Sequence, residues 1–312
     1  MGISMNNSFG SLDRNNQCIK NNVTKTTFQN NNCDFPLTVP KYKLKDMILS
    51  NDTYEQLTTV IDAERCWDIV FDKWGLSSVL GDKRNLFINL YGYPGTGKTM
   101  AAHAIANAIN KKMICVNYAE IESKYVGETS KNLTNLFKYA SEQKVVIFFD
   151  EADAFLSKRV TNMNNSTDVS VNQTRSVLLT LLNDYTGMVI FATNFIKNYD
   201  SAFMRRIHYH IKFSLPNEYQ RELLWRKYIP PQMPTDANYK KLADEYDGIS
   251  GSDIATAVLK AALKAAKCRD NIVSNSYFES EIKTIIESKN ENNGCTVTTR
   301  KVSEEYALSQ IR

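Results

Sequence analysis

The chain has 312 residues, of which 43% are hydrophobic, enough apolar material for a packed core in one large domain or two smaller ones. Its 38 basic and 34 acidic residues leave a formal net charge of +4, scattered without a block of like charge, which is weak evidence for a nucleic-acid or anionic-membrane partner. With no membrane-span-like run, no signal-peptide core and six scattered cysteines without a Cys-x-x-Cys pair, the sequence predicts a cytoplasmic protein with reduced thiols.

Residues 1–40 have the composition of a disordered, mobile tail. They contain nine asparagines among Ser, Thr and Gln, and their few apolar residues follow no helical or strand period. The alternative is a short partner-binding segment that orders on contact, with Phe28 or Phe35 as its anchor. We expect plain disorder.

A long helix is predicted between Lys43 and Trp74, where apolar side chains return and Ser50–Asp52 supplies an N-cap candidate. Just before that cap, Ile48 and Leu49 are either ordinary core residues or a wall for a nucleotide base. The residues after Trp74 are predicted to be a loop as far as Asn85.

Strand-like and helix-like segments then alternate. Four apolar runs predict buried strands, and the alternating series from Ile207 to Phe213 predicts a fifth, half-exposed strand. This order predicts an α/β fold over residues 41–216, with a mainly parallel five-stranded sheet covered by helices on both faces. Beyond Pro216 the chain is Ala-rich and helical, which predicts a small helical domain over residues 217–312. The four buried strands are predicted at Leu86–Tyr91, Met113–Asn117, Val145–Phe149 and Met188–Thr193.

The segment Gly92–Thr99 lies between the first strand and the next helix and matches the phosphate-loop pattern Gly-x-x-x-x-Gly-Lys-Thr. Its glycines let backbone N–H groups surround an anion, and the following helix adds its positive dipole end. We expect Lys98 to neutralise β and γ phosphates and Thr99 to complete the oxygen shell of Mg²⁺. An ordinary Gly-rich turn is the alternative. The predicted nucleotide-binding residues here are Gly92, Pro94, Gly95, Thr96, Gly97, Lys98, Thr99 and Met100.

Polar side chains also follow two later strands, at the edge where open α/β sheets bind ligands. Asp150 is predicted to hold Mg²⁺ directly or through a water, and Glu151 to polarise the attacking water as general base. Asn194 is placed to hold that water near the γ-phosphate. The alternatives are a helix-capping acid followed by solvated carboxylates, and a turn-forming asparagine. Asp153 is interpreted as structural.

Five ordered motifs, covering roughly residues 45–270, resemble those of the AAA family of ATPases, with a katanin-like and spastin-like set. The resemblance implies a phosphate-loop nucleotide-binding core, a helical lid, ATP with Mg²⁺, and a ring, usually a hexamer, with nucleotide between neighbours. The motifs are Gly92–Thr99, Phe149–Asp153, Ala192–Asn194, Asp200–Arg206 and Gly248–Ile254.

By that resemblance, Asn194 is the sensor-1 residue, and Arg205 and Arg206 are paired arginine fingers that reach into the neighbouring subunit's site. Guanidinium groups suit this role because they stay charged and offer several donors to phosphate oxygens. The family's members usually carry another basic residue just after the pair. Whether His208 or His210 takes its place is open, and an exposed strand face is the simpler interpretation of both.

Two further segments follow the same pattern. Lys124, Tyr125 and Val126 resemble the first pore loop, which grips an extended polypeptide in the central channel; a packed loop end is the alternative. In the lid motif, Gly251 would let a helix approach the adenosine closely. Ser252 follows it where some members carry a sensor-2 arginine.

The leading hypothesis is a ring-forming ATPase that remodels, unfolds or disassembles a protein partner, chosen directly or through an adaptor. The alternatives are a DNA-directed loader or initiator, disfavoured by the modest charge, and a nucleotide-gated scaffold without turnover. A narrower resemblance is to a bacterial relative of the AAA remodellers of HORMA-domain proteins, which usually have an arginine where this chain has Ser252.

Overall fold

The computed structural model describes residues 35–117, 128–156, 166–194 and 199–293. Within these ranges the chain forms a six-stranded sheet with helices on both faces, followed by a helical segment. The strands are β1 Leu37–Thr38, β2 Asn85–Gly92, β3 Met113–Val116, β4 Val146–Phe149, β5 Gly187–Thr193 and β6 Tyr209–Phe213.

The sheet order is β1-β3-β4-β5-β2-β6, so β2 lies between β5 and β6. Every neighbouring pair is parallel except β1 and β3. The predicted count of five strands is therefore one too low. Leu37 pairs with Ile114 at the sheet edge, and Phe35 packs near Tyr139, so this part of the predicted tail has a fixed place. Its two-residue length carries no strand signal in the sequence.

Two helices around the sheet lie where the sequence predicts them. The helix at the phosphate loop covers Lys98–Ala108, and the helix around Leu133 covers Glu128–Gln143. The helices are α1 Asn51–Arg65, α2 Ser77–Leu80, α3 Lys98–Ala108, α4 Glu128–Gln143, α5 Asp153–Leu156, α6 Ser166–Asp184 and α7 Ser201–Met204.

Residues 43–74, which we call the lead-in, form a less regular segment than the single long helix predicted. A 3-10 turn at Leu44–Asp46 precedes α1, and a π-helical stretch at Asp68–Lys73 follows it. The cap prediction is confirmed, because Ser50 Oγ accepts a hydrogen bond from the Thr53 amide. The predicted loop after Trp74 contains the short helix α2 and ends where β2 begins.

Alternate side chains of the strands fill two separate cores, as the twofold period of a strand requires. On one face Phe87, Phe149 and Phe191 pack against α4 and α6. On the other, Ile88 and Leu90 pack against α1 and the alanines of α3. Burial on both faces explains why the central strands are continuous apolar runs.

The helical segment after the sheet has an apolar core of its own, which includes Trp225, Ile254 and Phe278. At the start of its first helix, Asn217 forms a capping box with Gln220. No helix among the described residues is long and apolar enough to cross a membrane. The helices here are α8 Glu218–Tyr228, α9 Tyr239–Glu245, α10 Gly251–Cys268 and α11 Asn275–Asn293.

Candidate functional site

The phosphate-loop residues form a single turn between β2 and α3. Gly92, Gly95 and Gly97 have φ values of 142°, 74° and 101°, a region that side chains rarely adopt. At Gly92 a Cβ atom would also lie 2.0 Å from the Phe213 carbonyl oxygen of β6. These positions therefore require glycine. Lys98 begins α3 directly after the loop, so free N–H groups at the helix start face the turn.

Lys98 is almost fully buried beneath this turn, with 8% of its surface exposed. Its Nζ donates to the carbonyl oxygens of Gly92 at 2.8 Å and Tyr93 at 2.9 Å, and to Asn194 Oδ1 at 2.9 Å. Burial lowers the pKa of Lys98, while the charges of Asp150 and Asp153 oppose that shift. The bond to Asn194 joins the phosphate loop to the end of β5.

The Thr99 hydroxyl donates to Asp150 Oδ2 at 3.1 Å, which brings the start of α3 to the end of β4. A hydroxyl and a carboxylate at one point match the oxygen ligands that Mg²⁺ prefers, so these residues fit the ion. Elsewhere in the described part of the chain, no three His, Cys, Asp or Glu side chains gather as a metal site.

Glu151 is exposed beside this pair, and its amide donates to Asp150 Oδ1 at 3.0 Å. Its φ of 51° is unusual for a residue with a side chain and is the kind of strain found at functional sites. The backbone N–H of Asn194 donates to Asp153 Oδ2 at 3.3 Å. Asp153 therefore holds the end of β5, as the structural interpretation of this residue expects.

The start of α10 lies directly on the phosphate loop. The Ser252 amide donates to the Gly95 carbonyl oxygen at 3.2 Å. A Cβ atom at Gly95 would lie 2.0 Å from Ser252 Oγ and 2.6 Å from Ser250 Oγ, while one at Gly251 would lie 3.7 Å from the Gly95 oxygen. Ser250 caps the helix in a capping box with Asp253.

A cavity of about 290 Å³ opens beside the loop, between the lead-in and the helical segment. Ile48 and Leu49 line it, as the nucleotide-base alternative requires, and Met100 and Gly251 line it too. Both Ile48 and Leu49 also pack against a core, so the two interpretations of these residues are compatible. The phosphate loop and an apolar pocket thus adjoin, which is the arrangement a nucleotide needs.

Residues 88–215 match the family model described as "ATPase family associated with various cellular activities (AAA)". This part of the chain is therefore similar to an AAA ATPase domain. The matched residues contain the loop, the acidic strand end, Asn194 and the arginine pair.

Curated proteins similar to this chain include three that differ in their named roles. A putative 26S proteasome regulatory subunit homolog of Methanocaldococcus jannaschii is 32% identical over 71% of this chain and 58% of its own length. Proteasome-activating nucleotidase 2 of Haloferax volcanii is 34% identical over 61% and 48%. Vacuolar protein sorting-associated protein 4 of Dictyostelium discoideum is 34% identical over 58% and 41%. The chain spans about half the length of these relatives.

The two arginines of this matched region are placed differently. Arg205 follows α7 and is exposed, and its side chain makes no hydrogen bond or ion pair with the residues that the structure describes. Arg206 is tied to its own chain, since its Nε donates to Asn183 Oδ1 and its Nη1 to the Ala202 carbonyl oxygen, both at 2.7 Å. Only Arg205 is free to reach another molecule without breaking contacts.

The exposed-face interpretation holds for one histidine of the domain and is wrong for the other. His208 is exposed, but its Nδ1 accepts a hydrogen bond from the Phe87 amide at 3.0 Å and so extends the pairing of β2 and β6. His210 is half-buried and its Nδ1 is shielded from solvent. Its register partner on β2 is Asn89, which is fully buried.

Some predicted residues lie outside the described part of the chain: the tail to residue 34 and the pore-loop residues Lys124, Tyr125 and Val126. Two contacts of the site carried no signal in the sequence, the Lys98 to Asn194 hydrogen bond and the bond between Tyr199 and Thr193. The first joins residues 96 apart in the chain, and the second joins residues six apart, a spacing that neither a helix nor a strand pattern predicts as a contact.

Proposed function

We propose that this chain hydrolyses ATP with Mg²⁺ at the interfaces of a ring of identical copies, usually six, and uses the cycle to remodel, unfold or disassemble a protein partner. The observation that carries the proposal is the meeting of Lys98, Thr99, Asp150 and Asn194 at the carboxyl ends of neighbouring strands. The proteasome-related and sorting-related names of the relatives support a protein as the partner.

In this proposal Lys98 exchanges its carbonyl partners for phosphate oxygens, and Thr99 and Asp150 hold the ion. Bound Mg²⁺ supplies positive charge that neutralises the phosphates. Glu151 takes a proton from a water molecule while Asn194 orients that water. The bond from this water's oxygen to the γ-phosphorus forms as the bond from the γ-phosphorus to the bridging oxygen breaks, which yields ADP and phosphate.

The test is Glu151→Gln, which keeps the shape of the side chain but removes its basicity. We expect ATP affinity to persist and steady-state phosphate release to fall by about 100-fold or more. Glu142→Gln, the same change at an exposed position of α4, is the matched control and should leave turnover unchanged. Normal phosphate release by Glu151→Gln would remove the hydrolytic mechanism proposed here.

In this proposal the ring supplies a further positive charge to the γ-phosphate, from a neighbouring copy. Arg205 is proposed as the group that reaches the neighbour's site, because it is exposed and unengaged. Arg206, bonded to Asn183 and Ala202, is proposed to support it.

The protein partner is proposed to be gripped by the loop that contains Lys124, Tyr125 and Val126, directly or after delivery by an adaptor. The partner is proposed to belong to the class of proteins on which katanin-like and spastin-like members act, or to the HORMA-domain proteins that other AAA members remodel. Tyr125→Ala should keep basal ATP hydrolysis and lose substrate-stimulated hydrolysis, since an aromatic grip is removed without a change at the phosphates.

The measurement combines melting temperature, oligomer mass and ATPase rate on one preparation. A Tyr125→Ala chain that fails to fold or assemble would support the packed-loop alternative instead. To find the partner, proteins retained by a Glu151→Gln trap in the native host would be identified by mass spectrometry.

A further inference from the structure

A buried hydroxyl bond joins the end of β5 to the segment that leads into α7. Tyr199 is 6% exposed and packs in the apolar core beneath the sheet. Its hydroxyl donates to Thr193 Oγ1, and the side chain of Asn89 lies beside it. Burial raises the pKa of Tyr199 to about 12, so the hydroxyl remains a donor at neutral pH.

One end of this bond belongs to the phosphate site. Thr193 is the last residue of β5 and directly precedes Asn194, whose Oδ1 accepts the hydrogen bond from Lys98. A shift of Lys98 toward a phosphate therefore acts on the residue next to Thr193.

The Tyr199 end of this bond lies at the start of the segment that carries Arg205. Tyr199 directly precedes Asp200, whose amide donates to the Leu156 carbonyl oxygen at 2.9 Å and whose Oδ1 caps α7 by accepting from the Ala202 amide at 2.9 Å. This four-residue helix ends at Arg205, its C-cap. Tyr199 is therefore the buried residue next to the one that anchors and caps the helix leading to Arg205.

The side chain of Asn89 is a second polar group beside this hydroxyl. Asn89 is fully buried, and both atoms of its amide lack a hydrogen bond within the described residues. Leaving a buried donor unpaired is costly, so the Tyr199 to Thr193 bond favours one arrangement of the two segments over looser ones.

We propose that Tyr199 is a positioning residue that couples the phosphate site of one copy to the arginine it presents to its neighbour. This inference rests on the proposed ring ATPase. It assigns Tyr199 no contact with ATP; its effect is exerted through Asn194 on one side and Arg205 on the other.

The test is Tyr199→Phe, which removes only the hydroxyl. Rings made of this variant alone should bind ATP within about twofold of wild type and hydrolyse it about fivefold more slowly, because one hydrogen bond that orients Arg205 is lost. Tyr185→Phe is the matched control. Tyr185 lies in the same core, equally buried, and makes no side-chain hydrogen bond within the described residues, so its turnover should be unchanged.

Mixed rings separate positioning from general damage. Lys98→Ala chains cannot hold phosphate but keep Arg205, so adding them should restore turnover at Tyr199→Phe sites, as it should for Arg205→Ala chains. Mass measurement must show both chains in one ring. Absence of rescue in such rings, or normal turnover by Tyr199→Phe alone, would overturn the proposal.

Thr193→Val removes the acceptor of the same hydrogen bond and is the second test if Tyr199→Phe does not fold. The double variant should hydrolyse no more slowly than either single one, since both remove the same bond. Additive losses would overturn the coupling. A wild-type chain without ATPase activity, or an Arg205→Ala chain that no partner rescues, would instead remove the proposed function itself.

Discussion

Arg205 and Arg206 are neighbours in the chain with different physical situations. The guanidinium of Arg206 is satisfied by Asn183 and by a carbonyl oxygen of α7, whereas Arg205 is exposed after the helix ends. A residue already bonded within its own chain must give up those bonds to act elsewhere. At the scale of single residues, this difference divides the pair into a reaching group and a supporting group.

We therefore expect Arg205→Ala to leave the free energy of unfolding unchanged and to lower turnover by about 1000-fold. Arg206→Ala should lower the free energy of unfolding by about 1–2 kcal/mol, because two hydrogen bonds of a charged group are lost. Urea unfolding and ATPase assays on both variants check this. Equal destabilisation by the two changes would contradict the division of roles.

At the scale of elements, the phosphate loop lies in direct contact with the start of α10. Gly95 is where they touch, with its carbonyl oxygen bound by the Ser252 amide and no room for a Cβ atom beside Ser252 and Ser250. We therefore expect a ligand bound in the phosphate loop to act on the helical segment through the backbone hydrogen bond between Gly95 and Ser252. Ser250, the N-cap residue of α10, lies at the same contact.

Gly95→Ala and Gly75→Ala form a matched pair for this contact. The two glycines have φ values of 74° and 72°, but a Cβ atom at Gly75 would meet nothing within 4 Å. We expect Gly75→Ala to cost about 1 kcal/mol of unfolding free energy through backbone strain alone. Gly95→Ala should cost clearly more and should also weaken ATP binding.

Chemical unfolding without nucleotide and calorimetric titration with ATP measure the two effects. If the two substitutions cost the same and ATP affinity stays normal, the contact between loop and helix contributes nothing to either property.

At the scale of the whole molecule, all three histidines of the chain share one electrostatic situation. Burial of the imidazole ring lowers the pKa of His103 and His210, and partial shielding of the ring lowers the pKa of His208 although that residue as a whole is exposed. Lys41 lowers the pKa of His103 further, while Asp150 opposes that shift. Each histidine is therefore held more strongly in its neutral form by the folded chain than by the unfolded one. His208 must stay unprotonated at Nδ1 to accept from Phe87.

At these three positions the unfolded chain therefore binds more protons than the folded chain as the pH falls through about 6.5. The stabilisation is complete above that pH and is lost as the pH falls through the lowered pKa values. We expect urea midpoints to decline from pH 7.5 to pH 5.5, and His103→Asn to make the decline shallower. An unchanged slope in that variant would show that His103 does not contribute.

Much of this protein is determined by stretches that are local in the sequence. The loop from Gly92 to Thr99, the acids after β4 and Asn194 after β5 are placed correctly from the chain alone, because a strand or turn signal adjoins each of them. Parallel strands then bring their carboxyl ends to one edge, so the meeting of Thr99 and Asp150 follows from the fold class.

Other features depend on packing between segments far apart in the chain. The edge strand at Leu37 exists because Ile114 offers it a partner, and His210 is half-buried where it pairs with Asn89. Which arginine is free depends on Asn183, at the far end of α6. Sequence patterns report periodicity and turns within one segment. Hydrogen bonds between segments depend on distances that arise only when the cores are packed, so the tertiary structure alone decides them.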